Sequence, residues 1–187
     1  SLVGSEMCIR DRIGSKFASF VQTPYSLGIN SYFGIKMSRR EQIKMSIEDI
    51  SRYLKESRTI ILVSNGKNGY PHPMPMWYAV DDENTVYMTT FKKSQKIENL
   101  KRDPRVALLV ESGDSYDQLK SVLIYTKVDL IEDLEKTRDI LMKISIQRGD
   151  LSDDSDETIR QGMLKTAGKR MGMMFTPEKI VSWDHSK

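Results

Sequence analysis

The chain has 187 residues, of which 39% are hydrophobic and 29% charged. It is long enough for one domain with its own core and holds no apolar run long enough to cross a bilayer, so a soluble protein is expected. Twenty-nine basic residues against 26 acidic ones give a formal charge of +3, a near balance that argues against nucleic acid or an anionic membrane as partner. The lone cysteine, Cys8, excludes an intramolecular disulfide, a CxxC pair or a thiolate zinc site and fits a reducing cytoplasm. His72 and His185 stand far apart with no histidine or cysteine beside them, so no metal site is expected.

Residues 1–12, SLVGSEMCIRDR, show neither helical nor strand periodicity. LVGSEMCIRD resembles the translation of a transposon-end sequencing adapter, in which GAG ATG TGT ATA AGA GAC reads Glu-Met-Cys-Ile-Arg-Asp. These residues are therefore expected to be foreign to the native protein, and 1–36 as a whole to be a disordered extension. Met37, ahead of SRREQIKMS, is the expected native start, with the folded domain over 37–187.

Ser46 opens SIEDISRYLKES as an N-cap, and Ile47, Ile50 and Leu54 follow at helical spacing. Thr59 to Ser64 is an apolar β-branched run. The turn Asn65-Gly66-Lys67-Asn68-Gly69 and a second strand from Tyr70 through Val80 complete a hairpin. Thr85 to Phe91 reads as a third strand. Ser94 to Arg102 reads as a helix stopped by Asp103-Pro104, since proline disfavours helical geometry in the residue before it. Further strands are expected at Arg105 to Glu111 and Ser121 to Leu130, then a helix from about Ile131 to Gln147. Asp150 to Glu157 is a solvated loop or the first turn of a helix through Thr166. Arg170 to Phe175 and Ile180 to Trp183 finish the chain around Thr176-Pro177-Glu178. Six or seven mostly hairpin-connected strands with intervening helices predict an α+β fold that is mainly β, an antiparallel sheet closed into a small barrel.

The segment TTFKKSQKIENLKRDPRVALLV, Thr89 to Val110, carries the chemistry. A strand end leading into a helix offers unpaired N–H groups and partial positive charge. There Thr90 and Ser94 supply hydroxyls, Ser94 as the helix cap, while Lys92, Lys93 and Lys96 supply cations for a phosphate. A merely solvated lysine face is the competing reading, and periodicity does not separate the two.

The pattern S-x-K, followed by N-L-x-x-D-P-R-V and preceded by T-T at a strand end, resembles the flavin-phosphate segment of the pyridoxamine-phosphate-oxidase-like FMN-binding split barrels. Upstream, NGKNGYPHPMPMWYAVDDENTVYMTT is similar to that family's hairpin along the flavin ring. Downstream, FTPEKIVSWDH resembles its last strand. The resemblance spans roughly Met45 to His185 and implies a split β-barrel. It places Thr89 and Thr90 at the flavin and Ser94, Gln95 and Lys96 at its phosphate. Pro73, Met74, Pro75, Met76, Trp77 and Tyr78 would run along the isoalloxazine, whose N and O atoms backbone donors and acceptors would read. Trp183 would reach the cofactor of the other subunit, so a homodimer with shared sites is implied.

Two departures from the family pattern stand out. Its pyridoxamine-phosphate-oxidising members carry an Arg-x-His tail beyond the last tryptophan, where this chain reads Asp184-His185-Ser186-Lys187. Pro73 and Tyr78 stand where such enzymes have basic residues. Oxidation of pyridoxamine phosphate is therefore not expected. The resemblance implies an oxidoreductase that moves a hydride or electron pair between FMN, or an 8-hydroxy-5-deazaflavin coenzyme, and a small organic substrate. The alternative is a non-catalytic flavin- or haem-binding barrel with His72 and His185 as candidate axial ligands.

Overall fold

The computed structural model describes residues 38–152 and 157–187. The expectations for residues 1–36, and that for the middle of the acidic stretch at 153–156, lie outside the described residues.

A single turn, α1 (Arg39–Gln42), leads to α2 (Ile47–Glu56). As the capping pattern predicts, the Ser46 hydroxyl accepts the Asp49 N–H at 3.1 Å, and Glu48 and Asp49 occupy the positive first turn. The apolar face is narrower than the spacing suggests. Ile50, Tyr53 and Leu54 are buried, whereas Ile47 is 74% exposed.

Strands β1 (Ile60–Asn65) and β2 (Pro71–Met76) form the predicted hairpin, followed by β3 (Ala79–Val80), β4 (Val86–Phe91) and α3 (Gln95–Arg102). Next come β5 (Arg105–Ser112), a short 3-10 turn at Tyr116–Gln118, β6 (Lys120–Lys127) and β7 (Asp129–Ile131). The helices α4 (Leu134–Gln147) and α5 (Glu157–Ala167) precede β8 (Arg170–Phe175) and β9 (Lys179–Asp184). The sheets are antiparallel, in the orders β2-β1-β5-β6-β9 and β3-β4-β8-β7. This is the α+β split-barrel class expected from the sequence.

The described residues hold nine strands rather than six or seven, because two predicted strands turn corners between the sheets. The run Tyr70 to Val80 breaks at Trp77-Tyr78, where the Tyr78 side chain dives into the core and its hydroxyl donates to the Leu54 carbonyl at 2.6 Å. The run Ser121 to Leu130 breaks at Val128, a buried residue whose N–H donates to the Pro104 carbonyl at 2.9 Å. Corners of this kind bury apolar side chains as strands do, so alternation alone does not mark them.

Strand β2 is a sheet edge. Pro71, Pro73 and Pro75 recur at every second position, and proline has no N–H to give. The N–H groups bonded to β1 must therefore come from the residues between them, which leaves the outer edge with carbonyls alone. Such an edge resists pairing with another strand.

Between the two sheets lies the core, with Ile60, Leu62, Leu108 and Ile124 of one facing Val86, Met88, Met173 and Phe175 of the other, all fully buried. Helix α4 packs on the opposite face of the smaller sheet, where Ile140 and Ile144 meet Ala79, Tyr87 and Ile131. Among the described residues, no helix is long and apolar enough to cross a membrane.

Burial of the Tyr78 hydroxyl, with the nearby Tyr53 as a lesser cause, pushes its pKa above the ordinary tyrosine value of 10.0. A raised folded-state pKa gives stability that is complete below the unfolded value and is lost as pH climbs past it. Urea titrations should therefore show stability falling above about pH 10. Tyr78→Phe should cost about 1–3 kcal/mol at pH 7 through the orphaned Leu54 carbonyl, yet lose less on going to alkaline pH. Parallel alkaline slopes for the two proteins would contradict the assignment.

Candidate functional site

The register of β4 and β8 sets Phe91 opposite Arg170 and Thr90 opposite Met171, so the end of one strand and the start of the other meet at one edge of the smaller sheet. Helix α3 starts just after β4 and delivers Lys96 to the same place. The Lys96 ammonium donates to the Thr90 hydroxyl at 3.0 Å. Arg170 lies over the Phe91 ring, 4.7 Å from its centroid, and donates to the Thr89 hydroxyl at 3.4 Å. Among the described residues, no carboxylate forms an ion pair with either cation. The Arg170 Nε is buried with no hydrogen-bond partner. Burial, and secondarily the charge of Arg170, lower the Lys96 pKa below the ordinary lysine value. Partly desolvated cations that lack a counter-charge are costly. An anion completes such a site.

These residues floor a cleft of about 370 Å³. Pro75, Met76 and Trp77 supply an apolar side, and Leu141, Ile144, Ser145, Arg148 and Asp150 form the wall contributed by α4 and the turn after it. The Arg148 guanidinium sits 3.7 Å from the centroid of the Trp77 ring and pairs through Nε with Asp150 at 2.9 Å. The cleft thus joins two cations that lack carboxylate partners to a flat apolar surface, a combination suited to a phosphorylated aromatic molecule.

Of the residues expected at a flavin, the structure brings Pro75, Met76, Trp77, Thr89, Thr90 and Lys96 together. Pro73 and Met74 lie farther along β2 and do not line the cleft. Between Pro71 and Pro75 the outer edge of this strand offers backbone acceptors only. Tyr78 is 1% exposed, and its side chain belongs to the core instead of the cleft.

Ser94 occupies the N-cap position of α3 but makes no side-chain cap bond. Its hydroxyl instead accepts from the Thr90 hydroxyl at 3.5 Å. Gln95 turns away along the i,i+4 row to Asn99 at 3.1 Å, and Asn99 in turn reaches Ser64 of β1 at 3.3 Å. Lys92 and Lys93 are exposed and do not line the cleft. Trp183 lies on β9 opposite Ser121, in the larger sheet, away from the cleft of its own chain.

Phe91, Arg170, Arg148 and Asp150 were not anticipated. Arg170 had one available signal, a cation opening a predicted strand, but its place beside Thr89 depends on a long-range register. Nothing in the sequence announces the stack of Arg148 on Trp77.

His72 lies on β2 and His185 just beyond β9, at opposite edges of the five-stranded sheet. Among the described residues, no three histidine, cysteine or acidic side chains gather as a metal site.

Residues 46–180 match the family described as pyridoxamine 5'-phosphate oxidase. The chain belongs to that family. No curated protein matches it. Among solved structures, the family member resembles the conserved hypothetical protein Rv2991 from Mycobacterium tuberculosis, with 32% identity and a TM-score of 0.71 over 80% of this chain and 91% of that one. An F420 reductase has 22% identity and a TM-score of 0.52, covering 70% and 94% of the two chains. HutZ, the haem storage protein from Vibrio cholerae, has 16% identity and a TM-score of 0.58, covering 76% and 100%. The last two share the fold alone.

Proposed function

We propose that this family member is an oxidoreductase that holds FMN, or an 8-hydroxy-5-deazaflavin coenzyme, in the cleft and acts on a small organic substrate. Lys96 and Arg170 carry the proposal, as two partly buried cations without carboxylate partners beside two threonine hydroxyls. Their combined charge matches a phosphate monoester of about −1.5 to −2. When bound, the flavin supplies the hydride or electron-pair transfer. Thr89 and Thr90 hold the two cations in place, and Met76 and Trp77 give the ring an apolar surface that limits water. The solved F420 reductase supports keeping the deazaflavin coenzyme beside FMN. Purified protein titrated with FMN should show the absorbance bands of oxidised flavin and quenched flavin fluorescence. A Soret band in the isolated protein, or no response to FMN or a deazaflavin, would contradict the proposal.

The active form is proposed to be a homodimer with shared sites. Trp183 on the edge strand β9 does not line its own cleft, which suits a role at a partner's. An isologous interface then gives two equivalent sites. Analytical ultracentrifugation with flavin absorbance should show cofactor released as the dimer is diluted apart. Monomers carrying flavin at full occupancy would refute the shared site.

A further inference from the structure

We infer that Arg148, fixed between Trp77 and Asp150, makes the cleft selective for flat, conjugated substrates that carry a carboxylate. This inference rests on the reading of the cleft as a flavin site.

Arg148 is placed by backbone geometry before any ligand arrives. It caps α4, its N–H bonding to the Ile144 and Ile146 carbonyls. Gly149 follows at φ +79°, a left-handed conformation that side chains disfavour. The reversal brings the Asp150 N–H back to the Ser145 carbonyl at 2.8 Å and its carboxylate to the Arg148 Nε at 2.9 Å. The Arg148 side chain is only 16% exposed, packed over the indole.

Asp150 uses Nε. Among the described residues, neither Nη1 nor Nη2 of Arg148 has a hydrogen-bond partner, so one edge of the guanidinium fork is left for a ligand. Two parallel N–H donors match the two oxygens of a carboxylate. On the same wall of the cleft, Leu141 and Ile144 of α4 provide apolar surface for a conjugated group.

Charge separates this position from the phosphate site. Lys96 and Arg170 lack carboxylates and match a dianion, whereas Asp150 already offsets part of the Arg148 charge. The second position therefore suits a singly charged acid. Asp150 opposes that acid by like-charge repulsion and so sets how strongly Arg148 discriminates.

The probes are cinnamate and its neutral counterpart cinnamyl alcohol, titrated against protein saturated with FMN. Tryptophan quenching and perturbation of the flavin spectrum report binding. Cinnamate should bind the unaltered protein about tenfold more tightly than the alcohol. In R148Q the ratio should fall to about one, and R148K should retain only part of it. In D150N it should rise, which a misfolded variant would not produce. No FMN binding by the unaltered protein would remove the flavin reading itself. FMN binding with a ratio near one, or with a ratio that R148Q or D150N leaves unchanged, would overturn this inference alone. Loss of FMN affinity in R148Q without a change in the ratio would assign Arg148 to the cofactor and overturn it as well.

Discussion

Replacing Lys96 with alanine is expected to weaken FMN binding by about 1.5–3 kcal/mol, roughly ten- to a hundredfold, while Lys101→Ala costs less than about 1 kcal/mol. Both lysines belong to α3. Lys101 is a solvated side chain, 50% exposed and 3.9 Å from Glu98. Lys96 instead points to Thr90, at the floor of the cleft beside Arg170. Arg170→Ala should cost a comparable amount, since it removes the second cation and uncovers Phe91. The two losses should not add, because both residues meet one anion. Burial and Arg170 also place the Lys96 titration below the ordinary lysine value of 10.5. FMN affinity should thus be complete while Lys96 is protonated and decline with rising pH before an ordinary lysine would titrate. Fluorescence titrations at several pH values test both statements. Equal losses for Lys96→Ala and Lys101→Ala would mean that the helix start is only a charged surface.

Gly172→Val is expected to destabilise the fold by about 1–3 kcal/mol and to weaken FMN binding with it. Gly172 lies on β8 opposite Thr89, under the point where α4 crosses the smaller sheet. A Cβ there would stand 3.0 Å from Ile140 Cδ1, 3.1 Å from Ile131 Cβ and 3.3 Å from Thr137 Oγ1. Alanine can be accommodated by small shifts, and the lost glycine entropy offsets part of its cost. Valine adds two further methyl groups and forces α4 outward, carrying Leu141, Ile144 and Arg148 away from the cleft. Urea denaturation and FMN titration of both variants give the comparison. A valine variant as stable as the original protein would show that α4 does not depend on this close approach.

These two predictions mark what the sequence could and could not disclose. The hairpin of β1 and β2, the cap at Ser46 and the stop at Asp103-Pro104 rest on signals within a few residues of each other. Each proved legible because local chemistry decides it. The corners at Trp77-Tyr78 and Val128 were hidden, since a buried corner residue is as apolar as a strand residue. Tyr78 shows the same ambiguity at the site. Aromatic character fits a cofactor wall and a core equally, and the Leu54 carbonyl that draws its hydroxyl inward lies on another element. Gln95 bonds along its own helix to Asn99, which is tied in turn to Ser64 of β1, a contact between elements that local sequence does not announce. Arg170 and Arg148 join the cleft only through the pairing of β4 with β8 and the packing of α4, contacts between residues distant in sequence.

The central claim is that Lys96 and Arg170 form a phosphate site for a flavin. Equilibrium titration of the purified protein with FMN and with riboflavin, which differ only in the phosphate, tests it most directly. The account predicts FMN binding at least about tenfold tighter than riboflavin, from charge-assisted contacts of roughly 1.5–3 kcal/mol, with the preference lost in the Lys96→Ala, Arg170→Ala double variant. Equal affinity of the unaltered protein for the two ligands would contradict it.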